Sequence, residues 1–200
     1  MHRLSLNSYS TKNTVSLICV LCVILFNYNV AATSIVTVDQ KYTPDSRLYF
    51  VQCGIDDPIG QEFTPTMERL DLVEIYLRNN DARHTGEALV LMNIRLERIN
   101  GTVIATSDPL SIRHGTDGIV KFDFSTSVNL TPNEIHVVEL VYLSGPNIKW
   151  FGKSFGAYLN GRSIVKGVTK ERSDLWFKVG VKGEIPNKTL TIAPLQSKYR

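Results

Sequence analysis

The chain reads as an all-β protein, a sandwich of antiparallel strands preceded by an N-terminal signal peptide. Three observations predict this. One short apolar run near the N-terminus is followed by no second one, and beyond position 33 apolar residues recur with period two over short stretches. No window carries a 3.6-residue apolar stripe bounded by helix caps.

The leader comes first. Val15 to Phe26 are apolar apart from Ser16 and follow a polar stretch containing Arg3 and Lys12. About a dozen apolar residues are too few to cross a ~30 Å hydrocarbon core but suit a signal-peptide apolar region. Asn27-Tyr28-Asn29 then leads to Val30-Ala31-Ala32, a small-residue site that fits cleavage after Ala32. An uncleaved N-terminal anchor is the alternative. Lipid attachment is disfavoured because the large residues Ile18 and Leu21 precede Cys19 and Cys22. The expected location is therefore secreted or cell-surface, with no membrane span in the mature chain.

Cleavage changes the bulk numbers. The full chain has 22 Lys+Arg and 19 Asp+Glu, a net charge of +3; losing Arg3 and Lys12 leaves 20 against 19, a net +1. Such a balance gives no electrostatic reason to expect nucleic acid or an anionic membrane as partner. The remaining chain, roughly 168 residues, is long enough for one domain with its own core. Cys53 is the one cysteine left, so no disulfide can form within the mature chain.

The strands follow in order. Residues 33–54 read as an extended lead-in to a sandwich domain over 55–181, and 182–200 as a C-terminal tail. Leu70 to Leu77 shifts phase between Leu72 and Val73, which predicts a bulge or burial on both faces. In Ala88 to Arg98, Val90, Met92, Ile94 and Leu96 face one way while Asn93, Arg95 and Glu97 face the other. Asn100-Gly101 has the residues of a type I′ turn, with Val103 to Thr106 returning as hairpin partner. Val120, Phe122 and Phe124 alternate with Lys121 and Asp123, and Thr131-Pro132-Asn133-Glu134 sets a turn. Val138, Leu140 and Tyr142 then share a face, and Leu175, Phe177, Val179 and Val181 alternate with Trp176, Lys178 and Gly180. Paired sheets can bury the alternating faces of eight or so strands in one domain, which makes a jelly roll the first choice of architecture.

The order of motifs resembles a jelly-roll module of secreted microbial proteins, similar to carbohydrate-binding and galactose-binding-like domains. Gln61-Glu62-Phe63-Thr64-Pro65 precedes Leu70-Asp71-Leu72-Val73-Glu74-Ile75-Tyr76-Leu77 as the module's opening motif precedes its first long strand. The resemblance continues through Gly101 to Ser107, Val120 to Phe124 with Val128 to Pro132, and Asp174 to Phe177, covering residues 55–181. It implies a non-enzymatic module attached to, or acting at, a surface. Such modules commonly accompany a large partner domain, and none is expected within these 200 residues, which leaves open whether the module acts alone or assembles with something else.

Catalytic constellations are missing from the sequence: there is no nucleophile elbow, His-Glu-x-x-His pair, phosphate-binding glycine loop or Cys-x-x-Cys. His136 is expected to be a structural, hydrogen-bonded histidine, and His84 and His114 to sit in solvated loops. Cys53 is expected to be a buried small apolar side chain. Hydrolysis by scattered carboxylates such as Glu74, Asp123 and Glu139 would need two of them held roughly 5–10 Å apart in a cleft. Asp56 and Asp57 are the candidate ligands for a structural calcium ion, with Glu62 and Asp71 close enough in sequence to converge on it, although Asp57-Pro58 also serves simply to start a turn.

Sugar rings pack their C–H faces on aromatic planes while polar side chains bond their hydroxyls. Asn147 to Arg162 has that mixture, and Trp150, Tyr158, Asn160 and Arg162 are the candidate ligand-binding residues. The competing expectation is that Trp150, Phe155 and Tyr158 cap the core beneath a long hairpin. Sequons occur at Asn100, Asn129 and Asn187, a number near chance for this composition. The functional expectation is an exported binding module for carbohydrate or another cell-surface polymer. The alternative is a structural or assembly protein that meets a protein partner through its sheet edges.

Overall fold

The computed structural model describes residues 35–80, 84–155 and 158–183. The expected signal peptide (1–32), nearly all of the tail and the Asn187 sequon lie outside the described residues. The described chain carries, in order, β1 (Ile35–Tyr42), β2 (Tyr49–Cys53), β3 (Ile59–Phe63), β4 (Arg69–Arg78), β5 (Ala88–Leu96), β6 (Val103–Thr106) and β7 (Leu110–Ile112). It continues with β8 (Asp117–Asn129), β9 (His136–Ser144), β10 (Ile148–Ser154), β11 (Ser163–Val165), β12 (Val168–Lys170), β13 (Ser173–Leu175) and β14 (Phe177–Gly183).

These strands form two antiparallel sheets packed as a sandwich. Sheet A runs β1-β14-β4-β10-β13, with β2 on β10 and β8 on β4; sheet B runs β12-β11-β3-β9-β5-β6, with β7 on β5. Among the described residues no helix is long and apolar enough to cross a membrane.

The period-two patterns become the interior. Val90, Met92 and Ile94 of sheet B meet Val73, Ile75, Phe122, Trp150 and Phe177 of sheet A in one buried cluster. Burying alternate residues of both inner faces is what drives two such sheets together. The second face of sheet B is not bare: Glu139 accepts hydrogen bonds from Asn93 Nδ2 (2.8 Å) and Arg95 Nε (2.6 Å) on the neighbouring strand. That network explains why a charged residue on a central strand is almost fully covered.

Several expectations change. The lead-in joins the sandwich: β1 pairs along β14, and β2 pairs with β10 from Cys53↔Ile148 to Tyr49↔Gly152. The phase shift at Leu72 and Val73 corresponds to burial on both faces, since both side chains are fully buried, while the register with β8 shifts between Leu70 and Leu72 because β8 carries extra residues between Asp123 and Val128. Asn100-Gly101 does not close a two-residue turn. The β5–β6 connection spans residues 97–102, with the positive φ at Glu97 (61°). Gly101 is required for another reason, since a Cβ there would lie 1.9 Å from the Leu96 carbonyl oxygen. The Thr131–Glu134 turn forms as expected, with Asn133 in the left-handed region at φ 66°.

The alternation of 175–181 holds across a break between two strands. β13 pairs with β10 and β14 with β4, so this stretch wedges between two strands that pair directly further along, at Trp150↔Leu77. Leu175 and Phe177 both face the core, and the amide of Trp176, between them, donates to the Phe151 carbonyl at 2.8 Å.

Candidate functional site

Trp150 belongs to the core, not to a ligand site. β10 lies inside sheet A, so its alternation sends Ile148 and Trp150 inward, and Trp150 is 0% exposed. Its Nε1 donates to the Trp176 carbonyl at 2.8 Å, satisfying the one polar group of the indole. No ring face remains for a sugar to stack on, which corrects the assignment of Trp150 to the binding site.

Tyr158, Asn160 and Arg162 do come together. Tyr158 is half-buried, its ring edge-on to Phe177 (5.1 Å between centroids) and tilted against Tyr42 (6.3 Å). The phenol donates to Gln40 Oε1 at 3.1 Å and the amide to Asp174 Oδ2 at 3.3 Å. Burial pushes the phenol's pKa well above the ordinary tyrosine value.

Backbone contacts then hold the 160–162 turn to the end of β3. Thr64 Oγ1 donates to the Asn160 carbonyl (3.0 Å) and the Glu62 amide to the Arg162 carbonyl (2.9 Å). Gly161 permits that approach: a Cβ there would stand 2.0 Å from the Glu62 carbonyl oxygen.

The result is a cleft of about 690 Å³ lined by Tyr158, Asn160 and Arg162 together with Glu62, Thr64, Thr169, Glu171 and Asp174. Burial raises the carboxyl pKa of both Glu62 and Asp174. Hydrogen bonds from Thr169 Oγ1 to Glu62 (3.3 Å) and from the Tyr158 amide to Asp174 counter part of that effect. Gln61, fully buried, pins the cleft's base by accepting from the Leu175 amide (2.7 Å) and donating to Asp174 (3.4 Å) and the Glu62 carbonyl (3.0 Å). The lining offers carboxylates that accept from hydroxyls, and a guanidinium and an amide that donate. That is the inventory a polyhydroxylated ligand requires.

Sequence reasoning considered Glu62 only as a carboxylate for calcium and missed Thr64, Thr169, Glu171 and Asp174. Glu62 alternates with the buried Gln61 and Phe63, which marks it as outward-facing, but nothing local to Asp174 announces that it meets Tyr158.

The remaining candidates sit elsewhere. Asp56 Oδ2 accepts from the Gln52 amide (2.9 Å), its Oδ1 faces Lys166 Nζ (3.6 Å), and Asp57 Oδ2 accepts from the Gly54 amide (2.9 Å). Both carboxylates thus serve the turn after β2. Among the described residues no group of three or more His, Cys, Asp or Glu is placed to hold a metal ion. Cys53 is buried, and its thiol pKa is pushed up by burial and then by Asp57.

His136 is fully buried against Phe63, with Nδ1 3.1 Å from the Glu134 carbonyl; His84 and His114 are exposed. Glu74 pairs with Lys178, Asp123 with Lys121 and Lys182, and Glu139 with Arg95 on the opposite sheet. The three carboxylates therefore do not share one cleft.

Comparison with known proteins finds no family model that matches the chain and no curated protein that matches it significantly.

Proposed function

We propose that this is an exported, non-enzymatic β-sandwich module that recognises carbohydrate or a related cell-surface polymer. The observation that carries the proposal is the convergence of Tyr158, Asn160 and Arg162 with Glu62, Glu171 and Asp174 around one cleft. These side chains come from β3, the 158–162 turn, and the β12–β13 region, which backbone and side-chain hydrogen bonds hold together, so the polar groups are positioned before any ligand arrives. Neutral polyols suit this lining, because vicinal hydroxyls donate to carboxylates while Arg162 and Asn160 donate to ring and hydroxyl oxygens. The motif order that resembles a jelly-roll carbohydrate-binding module supports the same conclusion. A glycan array probed with the protein tests it. Binding to a defined set of neutral glycans, weakened at least tenfold by Arg162→Ala and by Asn160→Ala with unchanged melting temperature, is the expected result. Absence of any glycan binding at high protein concentration overturns it.

A second reading, assembly at a surface, draws on β12. It is the terminal strand of sheet B, all three of its residues are exposed, and the 76%-exposed Phe155 lines a cleft together with Thr169 and Lys170. Light scattering distinguishes the two, since assembly requires a stable oligomer that covers Phe155.

A further inference from the structure

The outer face of sheet A carries a feature that the cleft does not use. Four aromatic rings run across adjoining strands in edge and tilted contact: Phe50 to Phe151 (5.7 Å between centroids), Phe151 to Tyr76 (6.0 Å) and Tyr76 to Trp176 (6.4 Å). They alternate in phase with the core residues Val51, Trp150, Leu77 and Leu175, so they point away from sheet B. Three cations stand over them: Arg47 Cζ 4.2 Å from the Tyr76 ring, Arg78 Cζ 4.5 Å from Phe151, and Lys149 Nζ 4.8 Å from Phe50.

The charges on this face do not cancel. Arg78 is paired with Asp117 (3.0 Å), and nearby lysines are paired in the same way, as in Lys178–Glu74 and Lys121–Asp123–Lys182. Among the described residues no carboxylate stands within ion-pair distance of Arg47 or Lys149, which lie over rings; Asp117, paired with Arg78, also feels the charge of Arg47, so one carboxylate faces two guanidinium groups. A cation held over a ring keeps its full charge and gains about 0.5–1 kcal/mol at an exposed site. Phe50 is nevertheless 42% exposed, and Ile119, opposite Tyr76 on β8, is 57% exposed. The near-neutral total charge therefore conceals an asymmetry, since this face has surplus cations while the cleft lining has three carboxylates against Arg162.

We propose that this face binds an acidic polysaccharide, one whose sugar rings carry carboxylate or sulfate groups. Charge complementarity selects the ligand: an apolar sugar face lies on Phe50 and Ile119 while the anionic substituents reach Lys149 and Arg47. Neighbouring strands are ~4.8 Å apart, so successive ring-and-cation positions repeat on a scale comparable to one sugar residue. Nucleic acid fits less well. Two cations without a carboxylate in ion-pair distance among the described residues are few for tracking a phosphate backbone. This surface is independent of the cleft, whose probe is a neutral glycan.

The experiment is affinity electrophoresis of the full-length secreted protein through gels containing heparin, polygalacturonate, neutral dextran or no polymer, with a single-stranded oligonucleotide as competitor. Retardation by a sulfated or carboxylated polymer and not by dextran is expected. The double variant Arg47→Ala/Lys149→Ala should weaken it about tenfold or more, as should Phe50→Ala, while Lys170→Ala on the β12 edge of sheet B should not. Both cations and Phe50 are surface residues, and an unchanged melting temperature in each variant shows that the loss is one of binding. No retardation by any acidic polymer, equal losses in Lys170→Ala and the double variant, or tighter binding of the oligonucleotide than of every polysaccharide would each overturn the proposal.

Discussion

Trp150 and Trp176 are joined across the wedge in sheet A, the indole Nε1 of the first donating to the backbone carbonyl of the second at 2.8 Å. The bond sits where β10 separates from β4 to admit the chain running from β13 into β14, so it ties the core to the most irregular part of the sheet. Trp150→Ala is expected to lower folding stability by about 3–5 kcal/mol through the cavity it leaves. Trp150→Phe keeps much of the volume but orphans the Trp176 carbonyl, costing about 1–3 kcal/mol. Urea denaturation of both variants measures the difference; a change under 1 kcal/mol for Trp150→Ala would show the ring is not core.

Glu139 holds Asn93 and Arg95 on the second face of sheet B. Glu139→Ala leaves two donors on a largely covered surface without their acceptor, and is expected to cost about 3 kcal/mol, on the scale of breaking a buried pair. A double-mutant cycle with Arg95→Ala should recover part of that loss. Strict additivity in the cycle would mean the two side chains do not cooperate.

Glu62 and Asp174 make the cleft's contribution to stability depend on pH. Burial raises both folded-state pKa values above the ordinary 4.5 and 3.8. The folded state therefore holds these protons more tightly than the unfolded chain. Their contribution declines as pH rises from the unfolded values through the raised folded ones, and stays low above them. Asp174→Asn should flatten the fall in urea midpoint across that interval. An unchanged pH profile would refute the link.

Gly161 sets the register of the cleft turn against β3. Gly161→Ala places a Cβ against the Glu62 carbonyl oxygen, where the gap is 2.0 Å, so the 160–162 backbone must move away. Because Asn160 and Arg162 ride on that backbone, glycan binding should fall at least tenfold, with a stability loss of about 1–3 kcal/mol, the usual scale of a forced steric misfit. Full binding by this variant would show that the turn's position does not matter.

Tyr158→Phe removes one hydrogen bond, to Gln40, while keeping the ring against Phe177. The expected loss is about 0.5–1.5 kcal/mol, well below that of Tyr158→Ala, which also removes the packed ring. Comparing the two by thermal denaturation separates the polar tip's part from the ring's.

Much of the fold can be read along the chain, because a strand's face alternation is a local property. Val90, Met92 and Ile94, or Phe122 and Phe124, alternate whatever they pack against, and burial of that set follows. The Asn100-Gly101 dipeptide misled because turn residues report the conformations a backbone can reach, not the length of the connection; Gly101 is there for its closeness to Leu96. Trp150 misled for a related reason. A tryptophan beside glycines is equally suited to an exposed platform and to a core, and only its place on an interior strand sends it inward.

Local chemistry thus specified two alternating-face sheets, the Thr131–Glu134 turn, a buried His136 and a buried Cys53. Long-range pairing had to settle the rest. Sequence alone places Tyr158, Asn160 and Arg162 near one another, but their meeting with Glu62 depends on β11 pairing with β3, and that with Asp174 on the neighbouring β13. The cation-covered rings on sheet A depend on pairings between β2, β10 and β4, up to about a hundred residues apart in sequence. Strand order is a cooperative outcome of loop closure and shared burial, so no short window of residues encodes it.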